Sequence, residues 1–454
     1  MFSKVLIANR GEVAVRVIRA CRELGIRTVA IHSEVDRSSL HVRLADESVC
    51  VGPAPAARSY LNIPNVVSAA LITGAEAVHP GWGFLSENHY FAEICAGYQL
   101  TFIGPTAEQI ELLGDKTRAR QTMAQAGLPV MPGSREPVRN LDEARDLAQS
   151  LGYPVMLKAV AGGGGRGIRL LRSDQDLVGA YAVAQAEAEA SFGNAGVYLE
   201  KCIEEARHVE VQIIADGYGN VVHIGDRDCS LQRRAQKVVE EAPATALPPH
   251  LNEEIRAAAV RGAHAVRYLN AGTWEFLVDR SGQYYFMEVN TRLQVEHPVT
   301  EAISGVDLVK AQLLVAAGEP LPWRQEEIVL RGHAIECRIT AEDASRNFAP
   351  DIGEVRCYLP PGGPGVRVDS HLYSGYTVPP SYDSLLAKII TWGSNRTEAI
   401  DRMKRALEEC MIEGIATTVP FHRRLLADPA FVQQEVSTTF IERWLPRLGA
   451  VMAA

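Results

Sequence analysis

Met287-Glu288-Val289-Asn290-Thr291-Arg292-Leu293-Gln294-Val295-Glu296-His297-Pro298-Val299-Thr300-Glu301 gathers more kinds of polar function beside an apolar strand than any other fifteen residues of the chain. Residues 283–288 follow the turn Asp279-Arg280-Ser281-Gly282, and 273–278 precede it, so the pair reads as a β-hairpin. With Val278 opposite Gln283, Glu275 faces Phe286 and Glu288 is its diagonal neighbour on the same face, β-carbons within roughly 8 Å. Two carboxylates held that near repel unless a cation or a proton lies between them, and the amide oxygen of Asn290 falls on the same side. Hard oxygen donors of this kind suit Mg²⁺ or Mn²⁺, which keeps waters and takes phosphate oxygens as its other ligands; a solvated hairpin face is the plain alternative. Arg292, Gln294 and Glu296 then alternate with Leu293 and Val295, so an extended strand aims guanidinium, amide and carboxylate into one cleft. That is an anion pocket with its own base.

Upstream, 207–214 alternates as well, with His208, Glu210 and Gln212 on one face and Val209, Val211 and Ile213 toward the core. Arg233, Arg234 and Lys237 form a basic cluster that reads either as a surface patch or, with Arg292 opposite, as part of the anion site. Earlier still, an apolar strand at 154–158 meets Ala161-Gly162-Gly163-Gly164-Gly165-Arg166-Gly167, and strand-like alternation resumes at 168–171. A loop between two strands is not a P-loop, which needs a helix after Gly-Lys-Ser/Thr. Gly163, Gly164 and Gly165 let backbone N–H groups approach phosphates without β-carbon obstruction, and Lys158 and Arg166 add positive charge. With a helix over 174–192 and a strand over 197–200, residues 130–203 make a small α+β lid.

Near the start, 5–8, 13–24 and 28–32 read as strand, helix and strand, a βαβ unit. Glu34 or Asp36 stands where a ribose-binding acid would, but Asn9-Arg10-Gly11-Glu12 lacks Gly-x-Gly-x-x-Gly, which excludes a dinucleotide site. Further strands at 77–79 and 101–104 make 1–115 an open parallel sheet. The loop from His79 to Asn88 reads as a structural turn, and one helix over 106–125 carries Lys116. After Gly332 the chain is strand-rich, Arg338 alternates with Glu336 and Ala334, and an amphipathic helix covers 394–413.

A length of 454 residues suggests about three domains. Forty-seven per cent hydrophobic and 22% charged residues describe an ordinary globular protein, and a net charge of −9 without long like-charge blocks argues against a nucleic-acid partner. The eight cysteines are scattered, with no Cys-x-x-Cys, which fits buried free thiols in a reducing compartment. No segment reaches the roughly 18 apolar residues of a spanning helix, so the expectation is a cytoplasmic protein away from any membrane.

The central stretch is very similar to the signature of biotin carboxylases, members of the ATP-grasp class. The likeness extends through Ile7-Ala8-Asn9-Arg10-Gly11-Glu12, His79-Pro80-Gly81-Trp82-Gly83-Phe84-Leu85-Ser86-Glu87-Asn88, the glycine loop, Gln232-Arg233-Arg234, Lys237-Val238-Val239-Glu240-Glu241-Ala242-Pro243 and Gly332-His333-Ala334-Ile335-Glu336-Cys337-Arg338. The resemblance implies an α/β and α+β multidomain protein with the ATP-grasp fold: an N-terminal parallel-sheet domain (1–115), a linker helix (116–129), a mobile lid (130–203), a catalytic core (204–330) and a C-terminal biotin carboxylase domain (331–447).

It further implies MgATP, with two ions of Mg²⁺ or Mn²⁺, held by Lys116, Lys158, Gly163, Gly164, Gly165, Glu200, Lys201, Ile203, His208, Gln232, Glu275, Leu277 and Glu288, the metal on Glu275, Glu288 and Asn290. Bicarbonate is expected among Lys237, Arg292, Gln294, the backbone of Val295 and Glu296, with Glu296 as base and Arg338 at the biotin ureido oxygen. Trp82, Ala161, Ala235 and Asp351-Ile352-Gly353 stand where the family commonly has Tyr, Gly, His and Ser-Pro-Gly; Ala235 bears on the nucleotide wall and Ala161 on the lid hinge. The only Met-Lys is Met403-Lys404 inside a helix, so biotin is expected on a carrier protein or domain of another chain, with separate carboxyltransferase subunits and a homodimeric arrangement, acetyl-CoA carboxylase foremost. Another ATP-grasp ligase joining a carboxylate to an amine, and a nucleotide-binding subunit without turnover, are the alternatives.

Overall fold

Strands Lys4–Ile7 (β1), Arg27–Ser33 (β2), Glu47–Gly52 (β3), Ala77–His79 (β4) and Thr101–Phe102 (β5) form a wholly parallel sheet in the order β3-β2-β1-β4-β5. The computed structural model describes residues 1–134, 136–160 and 168–452. Both faces of this sheet are covered, as a parallel sheet requires. Val5 and Ile7 pack with Val13, Val17 and Ile18 of helix Gly11–Glu23, whereas Leu6 packs with Val66 and Phe91 on the other side. At the carboxyl end of β1, Asn9 donates through Nδ2 to the carbonyls of Pro80 and Trp82, both at 2.7 Å, and so ties down the loop after β4. Gly81 is required there: it has φ +65°, and a β-carbon would lie 2.8 Å from that amide nitrogen.

The single helix expected over 106–125 is two, Ala107–Gly114 and Lys116–Gln125. Asp115 breaks it. Its backbone is extended, and its carboxylate accepts from the N–H groups of Thr117 and Arg118 at 2.9 and 3.0 Å, capping the second helix. Lys116 therefore occupies a first turn, not a mid-helix face.

Strands Val155–Ala159 (β6), Ile168–Leu171 (β7) and Val197–Lys201 (β8) form an antiparallel sheet of order β7-β6-β8. Helices Leu141–Leu151 and Asp174–Phe192 cover one face through Ala144, Ala148 and Leu177. The glycine run, with Gly163, Gly164 and Gly165, lies outside the described residues.

The largest sheet has eight strands, all antiparallel. Arg207–Ala215 (β9), Val221–Arg233 (β10), Gln236–Ala242 (β11), Asn270–Val278 (β12), Tyr284–Asn290 (β13) and His333–Thr340 (β14) run in the order β13-β12-β9-β10-β11-β14, followed by Leu385–Gly393 and Val366–Ser370. One continuous sheet thus carries side chains from residue 207 to residue 393.

Two expected details of the β12–β13 region are corrected. Val278 pairs with Tyr284, not Gln283, because Asp279 and Gln283 close the turn, and Met287 is an extra residue that bulges. The bulge places Glu288 directly opposite Glu275 while Phe276 and Phe286 stay paired in the core. Residues 291–296 do not continue as a strand. The chain turns there and enters helix His297–Ser304, with Glu296 at its N-cap position. The helix expected over 394–413 is Arg396–Glu409, capped by Asn395, and Met411–Glu413 is a short strand.

Candidate active site

The alternation of β9 turns His208, Glu210 and Gln212 to one face, with Val209, Val211 and Ile213 packed in the core beneath helix Pro249–Ala265. Glu275 from β12 stands beside them. Into this acidic wall β11 inserts Lys237, whose ammonium donates to Glu210, to Glu275 at 2.8 Å and to Glu296 at 2.7 Å. Burial works against the charge of Lys237, but the three carboxylates outweigh it and push the ammonium well above the usual lysine range. Burial likewise works against Glu296, yet Lys237, Arg338 and Arg227 prevail over it and over Glu210, holding Glu296 below the ordinary carboxylate value.

Arg338 from β14 closes the other side. Its Nη2 donates to Glu296 at 2.9 Å and its Nε to Glu240 at 2.6 Å. The Val295 carbonyl is held at 2.8 Å by the fully buried Lys388, which also lies 3.2 Å from Glu12. Arg292 donates to Gln294 Oε1 at 3.1 Å and to Asn290 Oδ1 at 3.0 Å. The turn at 291–296 thus gathers guanidinium, amide and carboxylate as the alternating strand was expected to, by a different backbone route.

His208 Nδ1 lies 2.6 Å from Gln232 Nε2, and its Nε2 is 3.0 Å from Glu275. Leu277 faces His208 across the β9–β12 ladder. Glu288 lies 3.5 Å from Lys116. On the lid, Glu200 of β8 pairs with Lys158 of β6 and, at 2.6 Å, with Arg120, one turn beyond Lys116 on the same helix. Lys201 reaches back to the Gly152 carbonyl at 2.6 Å, and Ile203 is half-buried just beyond β8.

The basic cluster at 233–237 does not act together. Arg234 and Ala235, at φ +50° and +60°, form the tight turn between β10 and β11, so Arg234 and Ala235 are exposed. Arg233 turns to the Asn347 carbonyl at 2.9 Å and lies over the Phe348 ring. Lys237 alone enters the cleft.

Two residues were missed. Arg227 is fully buried beneath the cleft, pairing with Glu210 and donating to Gln212 at 2.9 Å and to Thr273 at 3.1 Å; it alternates on β10, but sequence spacing does not show that its partners are on β9 and β12. Glu87, in the loop read as a mere turn, accepts from Arg292 Nε at 2.9 Å and from the Thr291 N–H at 3.1 Å. No local pattern announces that contact.

Glu275, Glu288 and Asn290 offer two carboxylates and an amide oxygen from facing strands, a donor set that fits a hard divalent cation. Among the described residues a second group, His208, Glu210 and Glu275, has ligand atoms within 4.8 Å of one another. The Lys237 ammonium already sits between its two carboxylates and supplies the positive charge there.

Three family models match in succession: the biotin carboxylase N-terminal domain over residues 1–110, the carbamoyl-phosphate synthase L chain ATP-binding domain over 115–324, and the biotin carboxylase C-terminal domain over 336–443. A biotin carboxylase from Nostoc sp. is 59% identical over 441 residues, 97% of this chain and 99% of that protein. The chain belongs to the biotin carboxylase family. Biotin carboxylase 1 of Bacillus subtilis is 56% identical over 445 residues, 98% of this chain and 99% of that one. The crystal structure of a biotin carboxylase–β,γ-ATP complex from Campylobacter jejuni has 47% identity and a TM-score of 0.95, covering 98% of this chain and 99% of that one. The biotin carboxylase domain dimer of Hydrogenobacter thermophilus 2-oxoglutarate carboxylase, solved with MgADP, ADP and bicarbonate, has 49% identity and a TM-score of 0.94, covering 98% of each. As a biotin carboxylase the chain is an ATP-grasp ligase that carboxylates biotin at the cost of ATP, which removes both alternative readings. Among the described residues, no helix is long and apolar enough to cross a membrane.

Proposed function

We propose that this biotin carboxylase works through Glu296, and the observation that carries the reading is the position of that one carboxylate: fully buried and bonded to Lys237 on one side and Arg338 on the other. Lys116, Lys158, His208, Gln232 and Glu275, with the lid residues Glu200, Lys201 and Ile203, Leu277 and the glycine run, bind ATP. A Mg²⁺ or Mn²⁺ pair on Glu275, Glu288 and Asn290 would neutralise and orient the phosphates. Bicarbonate lies among Lys237, Arg292, Gln294 and the Val295 backbone. Glu296 takes its proton, and the oxygen so exposed attacks the γ-phosphorus as the bond to ADP breaks. The carboxyphosphate formed releases CO₂ and phosphate, phosphate takes the N1′ proton of biotin, and N1′ bonds to CO₂. Arg338 stabilises the negative ureido oxygen during that last step, and the proton on Glu296 leaves to solvent with the products.

Biotin arrives on a carrier protein or domain of another chain, and carboxyltransferase subunits complete the system, with acetyl-CoA as the foremost acceptor. The bacterial and chloroplast biotin carboxylases among the relatives support that choice. A homodimer is supported by the dimeric Hydrogenobacter domain, and a cytoplasmic setting by eight unpaired cysteines. Transfer of labelled bicarbonate to free biotin, and then to candidate carriers, tests the proposal. ATP cleavage that bicarbonate does not stimulate would overturn it.

A further inference from the structure

The chemistry above leaves two carboxyls under the Arg338 guanidinium without a task. Glu240 on β11 and Glu336 on β14 are directly opposed across the antiparallel ladder, and neither has any exposed surface. Glu240 Oε1 accepts from Arg338 Nε at 2.6 Å. The other Glu240 oxygen and both oxygens of Glu336 have no hydrogen-bond partner among the described residues.

The charges that face this pair come from four elements. β14 contributes Arg338, β11 contributes Lys237, the start of helix His297–Ser304 contributes Glu296, and strand Leu385–Gly393 contributes Lys388. Lys388 is engaged elsewhere, by the Val295 carbonyl at 2.8 Å, Glu12 at 3.2 Å and Asp369 at 3.9 Å. No cationic side chain of the described residues therefore bridges the two carboxyls, and like charges directly across a buried ladder cannot both persist. On the alkaline side of neutrality the one bonded to Arg338 keeps its charge; the unpartnered one keeps its proton.

We propose that Glu240 and Glu336 are positioning residues for the biotin step: Glu240 is the anchor on which Arg338 stays seated once Glu296 has taken the bicarbonate proton, and Glu336 carries a proton that limits the buried pair to one negative charge. The proposal rests on the roles given above to Glu296 and Arg338. Arg338 is held by two carboxylates: Nε and Nη2 both reach Glu240 Oε1, at 2.6 and 2.5 Å, and Nη2 also reaches Glu296 at 2.9 Å. When Glu296 is protonated its hold on Nη2 weakens, and the edge of the guanidinium that faced Glu296 is left to meet the ureido oxygen while Glu240 still holds Nε and Nη2. These two contacts to Glu240 keep the side chain from leaving the cleft. A second charge on Glu336 would pull the guanidinium down, away from the anion it must meet. Burial also pushes Glu240 up to about 7 against the pull of Arg338, and Glu336 well above the carboxylate range. Below about pH 7 the anchor becomes neutral, so biotin turnover has an acid limb that biotin-free ATP cleavage does not share.

The test compares Glu240→Gln, Glu336→Gln and Arg338→Gln, with the double variant Glu240→Gln/Arg338→Gln, in the full chain. Two activities are measured from about pH 6 to about pH 9: bicarbonate-dependent ATP cleavage without biotin, and ATP-driven carboxylation of free biotin. Glu240→Gln is expected to lower biotin turnover at least about tenfold more than ATP cleavage, as loss of a charge-assisted hydrogen bond does, and to abolish the acid limb. The double variant should be no worse than Arg338→Gln, because Glu240 acts through that side chain. Glu336→Gln copies a protonated acid and should move the ratio of the two activities by less than about twofold.

Equal losses of both activities in Glu240→Gln, an acid limb that survives it, or additive losses in the double variant overturn the anchor. A selective loss of biotin turnover in Glu336→Gln overturns the protonated partner. If the unaltered chain cleaves ATP without regard to bicarbonate, the role of Glu296 fails first, and that outcome is distinct from all of these.

Discussion

Glu296 joins two cations to which the proposed mechanism gives different tasks, Lys237 with bicarbonate and Arg338 with biotin. Glu296→Ala is expected to abolish bicarbonate-dependent ATP cleavage, by at least about a hundredfold as for other general bases, while nucleotide affinity measured by calorimetry changes little. An Ala variant that still responds to bicarbonate would remove the residue from its role. Arg338→Gln is expected to lower carboxylation of free biotin far more than biotin-free ATP cleavage, and parallel losses would speak against contact with the ureido oxygen. At this scale the sequence was informative where residue types are unusual for their setting. The run from Arg292 to Glu296 is polar beside apolar strands, and its side chains do meet. Arg227 and Glu87 were not visible, because an arginine within an ordinary strand and a glutamate in a glycine-rich loop become site residues only through partners more than a dozen positions away.

At the scale of elements, hydrophobic period located the strands, and what it could not locate was their ends and their irregularities. The Met287 bulge is one case: with Phe276 paired to Phe286, regular pairing would have set Glu275 against Met287, and one extra residue sets it against Glu288 while both phenylalanines stay in the core. Asp115 is another, since its side chain competes for the backbone and splits a helix that composition alone would continue. The β10–β11 turn shows the same effect with a measurable consequence. Ala235 occupies the left-handed region at φ +60°, which disfavours a residue with a β-carbon. Ala235→Gly is therefore expected to stabilise the protein by about 0.5–1 kcal/mol in urea unfolding, with Lys237 still delivered to the cleft. A destabilised glycine variant would mean that the alanine methyl has a packing partner outweighing the strain.

Across the whole molecule, burial keeps several histidines neutral. Burial lowers His41, His223 and His422 to about 4, and His79 and His371 to about 3. A group depressed in the folded state contributes stability above its unfolded value, and that contribution is lost as pH falls toward the folded value. Each histidine therefore removes up to about 1.4 kcal/mol per pH unit below about pH 6.5. The paired Asp36 and Glu241, both held at about 2 despite burial, add further loss below about pH 4. Urea midpoints should fall steadily from about pH 7 to about pH 5, before those two carboxylates begin to titrate in the unfolded chain. A midpoint flat over that range would show that the histidines take up no protons on unfolding.

One short helix links two places that no strand connects. Lys116 and Arg120 are four residues apart on its surface, the first facing Glu288 and the second gripping Glu200 of the lid. A rigid turn of helix with a hand at each end behaves as a lever. Any tilt of β8 is felt as a shift of the ammonium above Glu288, and whatever occupies that carboxylate biases the tilt by an equal amount of free energy. If Glu288 serves the nucleotide as proposed, the posture of β8 and the occupancy of that site would report on each other through about six ångströms of backbone.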